Sequence, residues 1–444
     1  MAQHKTLKIS ALLIASAFST LTYGAGFAVA EQSVTGLGRA FAGQAAVAED
    51  ASTIFFNPAG LTYLTHSQIA QGLNFILPQS EFNDNGSNAP ALGGAPLGGR
   101  EGDAGNLAIV PNLYYAHRLN DDVVLGIGVN APFGLVTEYS DNWIGRYQAI
   151  KSDLLTININ PSIGFKATER LSLGFGINLQ YIDLELTQAV DFGTICASAL
   201  VGACAAPLAN DGKVKLTADD WSWGFNLGLM FQATDATRVA VTYRSKIEHN
   251  LTGKGKFSIP TNVPGALAGA LGFNDGAISG SVALPESASL AIHHQVNDKW
   301  AVMADASWTR WERFKELAIV AADPTSKLNS TKEENWENSM RYGIGLTYAH
   351  NDKWTFRGGI AYDETPISDA YRTARIPGED RKWVAVGASY KYSDRVTIDA
   401  GYTHIFVSNP EIDESLDLPL NHELVGDYDA SVDILGVQMR WLFL

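Results

Sequence analysis

Few residues in this chain are spaced for covalent chemistry. The nine histidines are scattered. The adjacent pair His293 and His294 alternates faces on a strand, so at most one of them can point into a given site. Spacing assembles no Ser-His-Asp set, and no Gly-rich phosphate loop follows a strand and opens a helix. The chain is expected to be no enzyme and to carry no cofactor and no metal. Cys196 and Cys204 are the two cysteines and stand in a stretch without strand pattern. In an oxidising compartment they are expected to close one loop as a disulfide, since a metal pair would lack a nearby His.

What remains is the chemistry of binding. Arg146, Lys151, Arg313 and Lys315 fall near the outer ends of candidate strands, where a cation could meet a carboxylate. Residues of this kind are more often solvated or salt-bridged than ligand-binding. Apolar side chains also sit where loops are expected. Leu267, Leu271 and Phe273 follow Val263 at near-helical spacing, and Leu200, Val201 and Leu208 surround the cysteines. Exposed apolar loops on an acidic surface mark a contact site able to receive a lipid; the alternative is that the two loops pack only on each other.

The elements that must position these residues are strands. From Trp221 to Phe231 the odd positions are large and apolar, while Ser222, Gly224, Asn226 and Gly228 between them are small or polar. Leu155 to Phe165 and Leu171 to Tyr181 repeat that period of two, against Thr156, Asn158, Asn160, Ser162, Gly174 and Asn178. A soluble sandwich would present charge on the polar face, whereas uncharged small residues suit the lumen of a barrel whose other face meets lipid. Tight turns near Asn120-Asp121, Thr168-Glu169, Thr234-Asp235, Asn297-Asp298, Asn351-Asp352 and Ser393-Asp394 alternate with long stretches near 79–105, 136–151, 191–220, 258–280, 321–335, 364–380 and 409–427. Thirteen such connections join 14 strands, so the expected fold class is all-β, a 14-stranded antiparallel transmembrane β-barrel with short turns on one side and long loops on the other. Trp300, Trp354 and Trp383 stand at strand beginnings, where an interfacial aromatic girdle is expected.

The N-terminus supplies the address. Lys5 and Lys8 precede an apolar run from Ile9 to Phe18 that is too short to span roughly 30 Å of hydrocarbon. Residues 1–24 therefore read as a signal peptide, and its removal takes the formal charge from −15 to −17. Such an acidic chain has nothing with which to neutralise phosphates, which excludes nucleic acid as a partner. Export without a spanning helix leaves a closed barrel in the bacterial outer membrane, a monomer surrounded by lipid and lipopolysaccharide. Residues 25–66 do not follow the barrel pattern. Their Ala- and Gly-rich run carries Phe27, Phe41, Ile54, Phe55, Phe56 and Leu61, which need burial, so an α-helical hatch or plug inside a barrel of residues 67–444 is expected. Strand 3 reads Val124 to Val129 and then meets Pro132 and Gly134. Proline removes a ladder donor and glycine weakens pairing, so a bulge or gap is expected there, unless the strand simply ends at its loop.

Several of these motifs together carry a resemblance. Ala25-Gly26-Phe27, Gly36-Leu37-Gly38-Arg39-Ala40, Glu49-Asp50-Ala51-Ser52 and Asn57-Pro58-Ala59 resemble the hatch of the FadL-type outer-membrane transporters of long-chain fatty acids. So do the stretches from Asn130 to Glu138, Leu284-Pro285-Glu286, and Trp354 to Asp380, so the likeness covers essentially the whole chain after residue 24. It implies passive uptake of a long-chain fatty acid or other hydrophobic small molecule. Cargo would dock on the outer loops, pass to an internal pocket, and leave sideways through a gap beside a kinked third strand built on Asn130, Pro132 and Gly134. It further implies that Asn57, Pro58 and Ala59 sit against that kink as a latch, and that Ala25, Gly26 and Phe27 place a mobile Phe in the pocket. The position after Leu317 is Ala318, and the strand beyond Tyr181 carries Asp183, Glu185 and Gln188 rather than a base. Aromatic or aliphatic hydrocarbons are therefore an alternative cargo. A general diffusion porin or a surface adhesin is the alternative of another class.

Overall fold

The computed structural model describes residues 26–416 and 421–443. The signal-peptide reading of residues 1–24, and Ala25, lie outside them. The chain forms a closed barrel of 14 antiparallel strands. In order these are β1 (Ser67–Asp84), β2 (Ala108–Arg118), β3 (Val123–Asn130, resuming as Gly134–Glu138), β4 (Lys151–Thr168), β5 (Leu171–Asp191) and β6 (Asp211–Thr234). Then follow β7 (Thr237–Arg244 and Ile247–Ser258), β8 (Gly276–Leu284 and Ser287–Gln295), β9 (Trp300–Thr309 and Glu316–Ala321) and β10 (Ser330–Glu333 and Ser339–Ala349). The last four are β11 (Trp354–Asp363), β12 (Arg381–Lys391), β13 (Val396–Val407 and Glu411–Ser415) and β14 (Glu423–Phe443). The wall closes where β14 pairs with β1, from Ser67 opposite Phe443 to Asp84 opposite Gly426. Closure leaves no edge for lipid to desolvate.

The period of two sorts the faces. Trp221, Trp223, Leu227 and Phe231 are exposed on the outer face of β6, and Asn226 is buried on the inner one. Inside, Asn158 donates to Asn178 and Asn130, while Asn160 and Asn178 both donate to Asn226, all within 3.1 Å. These amides satisfy part of one another's hydrogen-bonding capacity, leaving Asn130 Nδ2, Asn158 Oδ1 and Asn160 Oδ1 without a protein partner. Trp300 and Trp354 are exposed as a girdle requires, but Trp383 is 1% exposed and faces the lumen against Phe41. The reason is register: Val384 and Val386 take the lipid face of β12, which turns 383 inward.

Strand β5 runs for 21 residues and pairs with β6 as far as Asp191 opposite Asp211. A tilted strand needs only about 9–11 residues to cross the hydrocarbon, so the outer half of this pair stands clear of it. The stretch 211–220, expected as loop, is strand for that reason: its neighbours continue to offer ladder partners above the membrane. The loops that cap this end carry the disulfide between Cys196 and Cys204.

Two features of the wall bear on function. The ladder between β2 and β3 runs only to Leu113 opposite Val129. Ala108–Asn112 of β2 pair with β1 alone, and the resumed piece Gly134–Glu138 pairs with β4 but, among the described residues, not with β2. The second feature is the segment 26–64, which lies inside the barrel as short helical turns at Val34–Leu37, Gln44–Val47, Thr53–Phe56 and Pro58–Tyr63. Inward-facing glycines make room for it. A Cβ on Gly174 would collide with the backbone of Ala59, one on Gly228 with the side chain of Asn57, and one on Gly359 with the backbone of Arg39.

Candidate functional site

Phe27 is 2% exposed and stands at the centre of an aromatic cluster. Its ring centroid lies 4.9 Å from Trp311, 5.5 Å from Phe314, 5.6 Å from Trp336 and 6.0 Å from Phe133. Gly26 makes the approach possible: its φ of +62° and its contact with Trp311 and Trp336 both exclude a side chain. Beside Phe27 is a cavity of about 40 Å³, walled by Leu135, Leu154, Ile182, Leu184, Leu251 and Val282 among others. That volume holds a water or two and no amphiphile. The ring of Phe27 is what fills the remaining space.

The same N-terminal segment spans the break in β3. The N–H of Gly134 donates to the carbonyl of Phe27 and the N–H of Val29 to that of Pro132, each at 2.9 Å, and Ala28 is bridged antiparallel to Phe133. Pro132, Phe133 and Gly134, which β2 leaves without a partner among the described residues, are thus paired by residues 27–29. Asn130 is fully buried just before the break and accepts from Asn158 at 3.1 Å.

Asn57, Pro58 and Ala59 lie elsewhere. Asn57 donates to the carbonyls of Ala45 and Leu229 and accepts from the N–H of Ala59, while the backbone of Pro58 rests on Gly164 and Gly174. This turn is therefore seated on β4, β5 and β6, because those strands carry the glycines that admit it. What meets the break is Phe27 to Val29.

The four cations picked from sequence do not line the cavity. Arg146 pairs with Asp211 at 2.7 Å and donates to the carbonyls of Leu97, Gly98 and Leu208, fastening loops together. Lys151 pairs with Asp153 and Glu185, and Arg313 with Glu286 at 2.8 Å. Lys315 is exposed. In a chain with 47 acidic and 32 basic residues, a cation at the rim finds a carboxylate close by. Leu267 and Phe273 pack on Phe192 and the disulfide, so the two apolar loops cover each other and leave Leu200 and Leu271 outermost.

The polar groups that do line the cavity are Ser152, Glu334 and Arg375. Arg375 donates to Ser152 Oγ at 3.0 Å, to Gln188 Oε1 at 2.6 Å and to the carbonyl of Lys151, and forms no ion pair among the described residues. Glu334, in the non-strand stretch between the two pieces of β10, accepts from the indole N–H of Trp336 at 3.1 Å. Burial, with Glu414 adding to it, pushes its carboxyl up to about 8. A neutral acid and an arginine without a carboxylate thus face one apolar space. Sequence reasoning passed over both, although Arg375 sits within the Trp354 to Asp380 stretch that carried the resemblance. Its neighbours Arg372 and Arg381 face Asp369, Glu379 and Asp363; only packing distinguishes the three.

Comparison with known proteins returns the same closed barrel. The family model described as outer membrane protein transport protein (OMPP1/FadL/TodX) matches residues 15–443. The chain belongs to this family. A FadL/TodX relative, the long-chain fatty acid transport protein of Escherichia coli O6:H1, is 31% identical over 423 residues, which cover 91% of this chain and 92% of that one. The crystal structure of a Pseudomonas aeruginosa FadL homologue superposes with a TM-score of 0.85 at 25% identity, over 95% of this chain and all of that one. The Ralstonia pickettii toluene transporter TbuX shares the fold, with a TM-score of 0.66 at 20% identity over 95% of this chain and 99% of that one. As a FadL/TodX member the chain is a transport protein of the bacterial outer membrane and not an enzyme.

Proposed function

We propose that this protein takes up long-chain fatty acids or related hydrophobic molecules passively, and releases them sideways into the membrane through the opening at the interrupted β3. The observation that carries this reading is the position of residues 27–29. One short segment both fills the apolar cavity with Phe27 and completes the wall at Pro132 and Gly134. Cargo that displaces the ring must pull on the same hydrogen bonds that close the wall, so occupancy and opening are coupled without an energy source. Residues 25–66 act as the hatch in this scheme. Arg375, which forms no ion pair among the described residues, offers a charge-assisted bond to a fatty-acid head group, and the relatives named as long-chain fatty acid transport proteins favour that cargo over a hydrocarbon.

The test locks the segment. Ala28 and Phe133 face each other as an antiparallel pair, whose Cα spacing suits a disulfide. In cells lacking other fatty-acid transporters, the Ala28→Cys, Phe133→Cys double variant should lose oleate uptake when oxidised and regain it with reductant. Wild type treated with reductant controls for the native disulfide. Undiminished uptake by the oxidised variant would sink lateral release.

A further inference from the structure

A larger chamber of about 150 Å³, separate from the Phe27 cavity, is lined by Ala28, Phe55, Pro132, Phe133, Thr242 and Arg244 among others. No Asp or Glu lines it. Arg244 Nη1 donates to Asn178 Oδ1 at 2.6 Å, Nη2 donates to the carbonyl of Phe55 at 2.8 Å, and the guanidinium stands 4.3 Å over the Phe55 ring. Both hydrogen-bond partners are neutral, and among the described residues Arg244 forms no ion pair. A guanidinium carries about five N–H donors, so most of its donors face the chamber uncommitted. Three other arginines of the lumen do have carboxylate partners: Arg39 and Arg357 both pair with Glu49, and Arg440 with Asp399. Arg244 is half-buried, and a cation partly removed from water without a counter-ion gains from an anion that reaches it. The chamber shares Ala28, Pro132 and Phe133 with the closed break in β3, so whatever it holds stands at the proposed exit.

We infer that the chamber around Arg244 is a second binding station, which takes the carboxylate of an amphiphile after it has left the Phe27 cavity. This rests on the uptake reading above and adds to it a head-group site and a preference for anionic over neutral cargo. Arg244 is already oriented by Asn178 and Phe55, and its open donors match the two oxygens of a carboxylate. The tail would lie among Phe55, Phe56 and Phe133.

Purified protein in liposomes can be assayed for uptake of oleate and of oleyl alcohol, which differ only in the head group. Arg244→Gln should lower oleate uptake about tenfold, the loss of one charge-assisted contact, and leave the alcohol within about twofold. Arg244→Lys should restore part of the oleate rate. Thr242→Glu keeps the arginine but sets a carboxylate two residues away on the same face of β7, and should reproduce the Arg244→Gln pattern. It also decides the matter if Arg244→Gln fails to assemble. Oleate uptake unchanged in both variants, or an equal fall for both ligands in barrels of normal heat-modifiable mobility, overturns the station. Wild type that carries neither ligand overturns the uptake reading instead, and the station falls with it.

Discussion

The backbone N–H of Gly134 donates to the carbonyl of Phe27 at 2.9 Å, so the residue that fills the cavity is also the residue that closes the wall. Replacing Phe27 with Ala removes the ring from between Trp311, Phe314 and Trp336. Such truncation in a core costs about 3–5 kcal/mol, here against local docking rather than the barrel. Hydrogen exchange at Val29 and Gly134 should quicken by roughly 100-fold while strand circular dichroism stays unchanged. Protection equal to wild type would show that the ring does not hold the terminus.

The cavity should also respond to pH through Glu334. Its folded value of about 8 lies above the ordinary 4.5, so the folded chain keeps a proton that the unfolded chain gives up. The stabilising contribution is full below about 4.5, declines as pH rises, and is gone above about 8. Above that point a second negative charge also opposes a carboxylate ligand at Arg375. Oleate affinity, followed by Trp336 fluorescence, should fall between pH 7 and 9, and Glu334→Gln should flatten that dependence. A variant with the wild-type profile would assign the titration to another group.

Hatch docking depends on a buried charge. Glu49 pairs with Arg39 at 2.9 Å, with Arg357, and with Arg440 at 3.5 Å. Glu49→Gln leaves Arg39 and Arg357 short of an anion, while Arg440 keeps Asp399, at a cost of about 3–5 kcal/mol. The expected result is raised ion conductance in planar bilayers, in steps large enough to mark a displaced plug, from barrels that still assemble.

Steric room can be tested separately at Gly228. Any Cβ there meets Asn57, and overpacking of this kind costs about 1–3 kcal/mol. Gly228→Val should lower the temperature of heat-modifiable unfolding and raise conductance; the same change at the open position Gly202, with nothing within 4 Å, should do neither.

The alternation from Trp221 to Phe231, the spaced turns and the small polar residues opposite the apolar ones in β4, β5 and β6 determined the barrel, its strand number and which side chains meet lipid. Those properties follow from local period and composition, which a single strand already carries. Proline and glycine act on their own backbone, which is why an interruption at Pro132 and Gly134 is an expectation that local sequence alone supports. The orientation of Trp383 was not legible in this way, because its face depends on register with β11 and β13. Nor could spacing tell Arg375 and Arg244, which lack a carboxylate, from Arg146 and Arg313, which have one. An ion pair joins residues remote in sequence, as Arg146 and Asp211 show, and only the closed barrel decides which cations find one. The seat of Asn57 on Gly228, and the meeting of Phe27 with the gap in β3, were likewise settled by the tertiary structure, in which the hatch and the wall compete for the same inner surface.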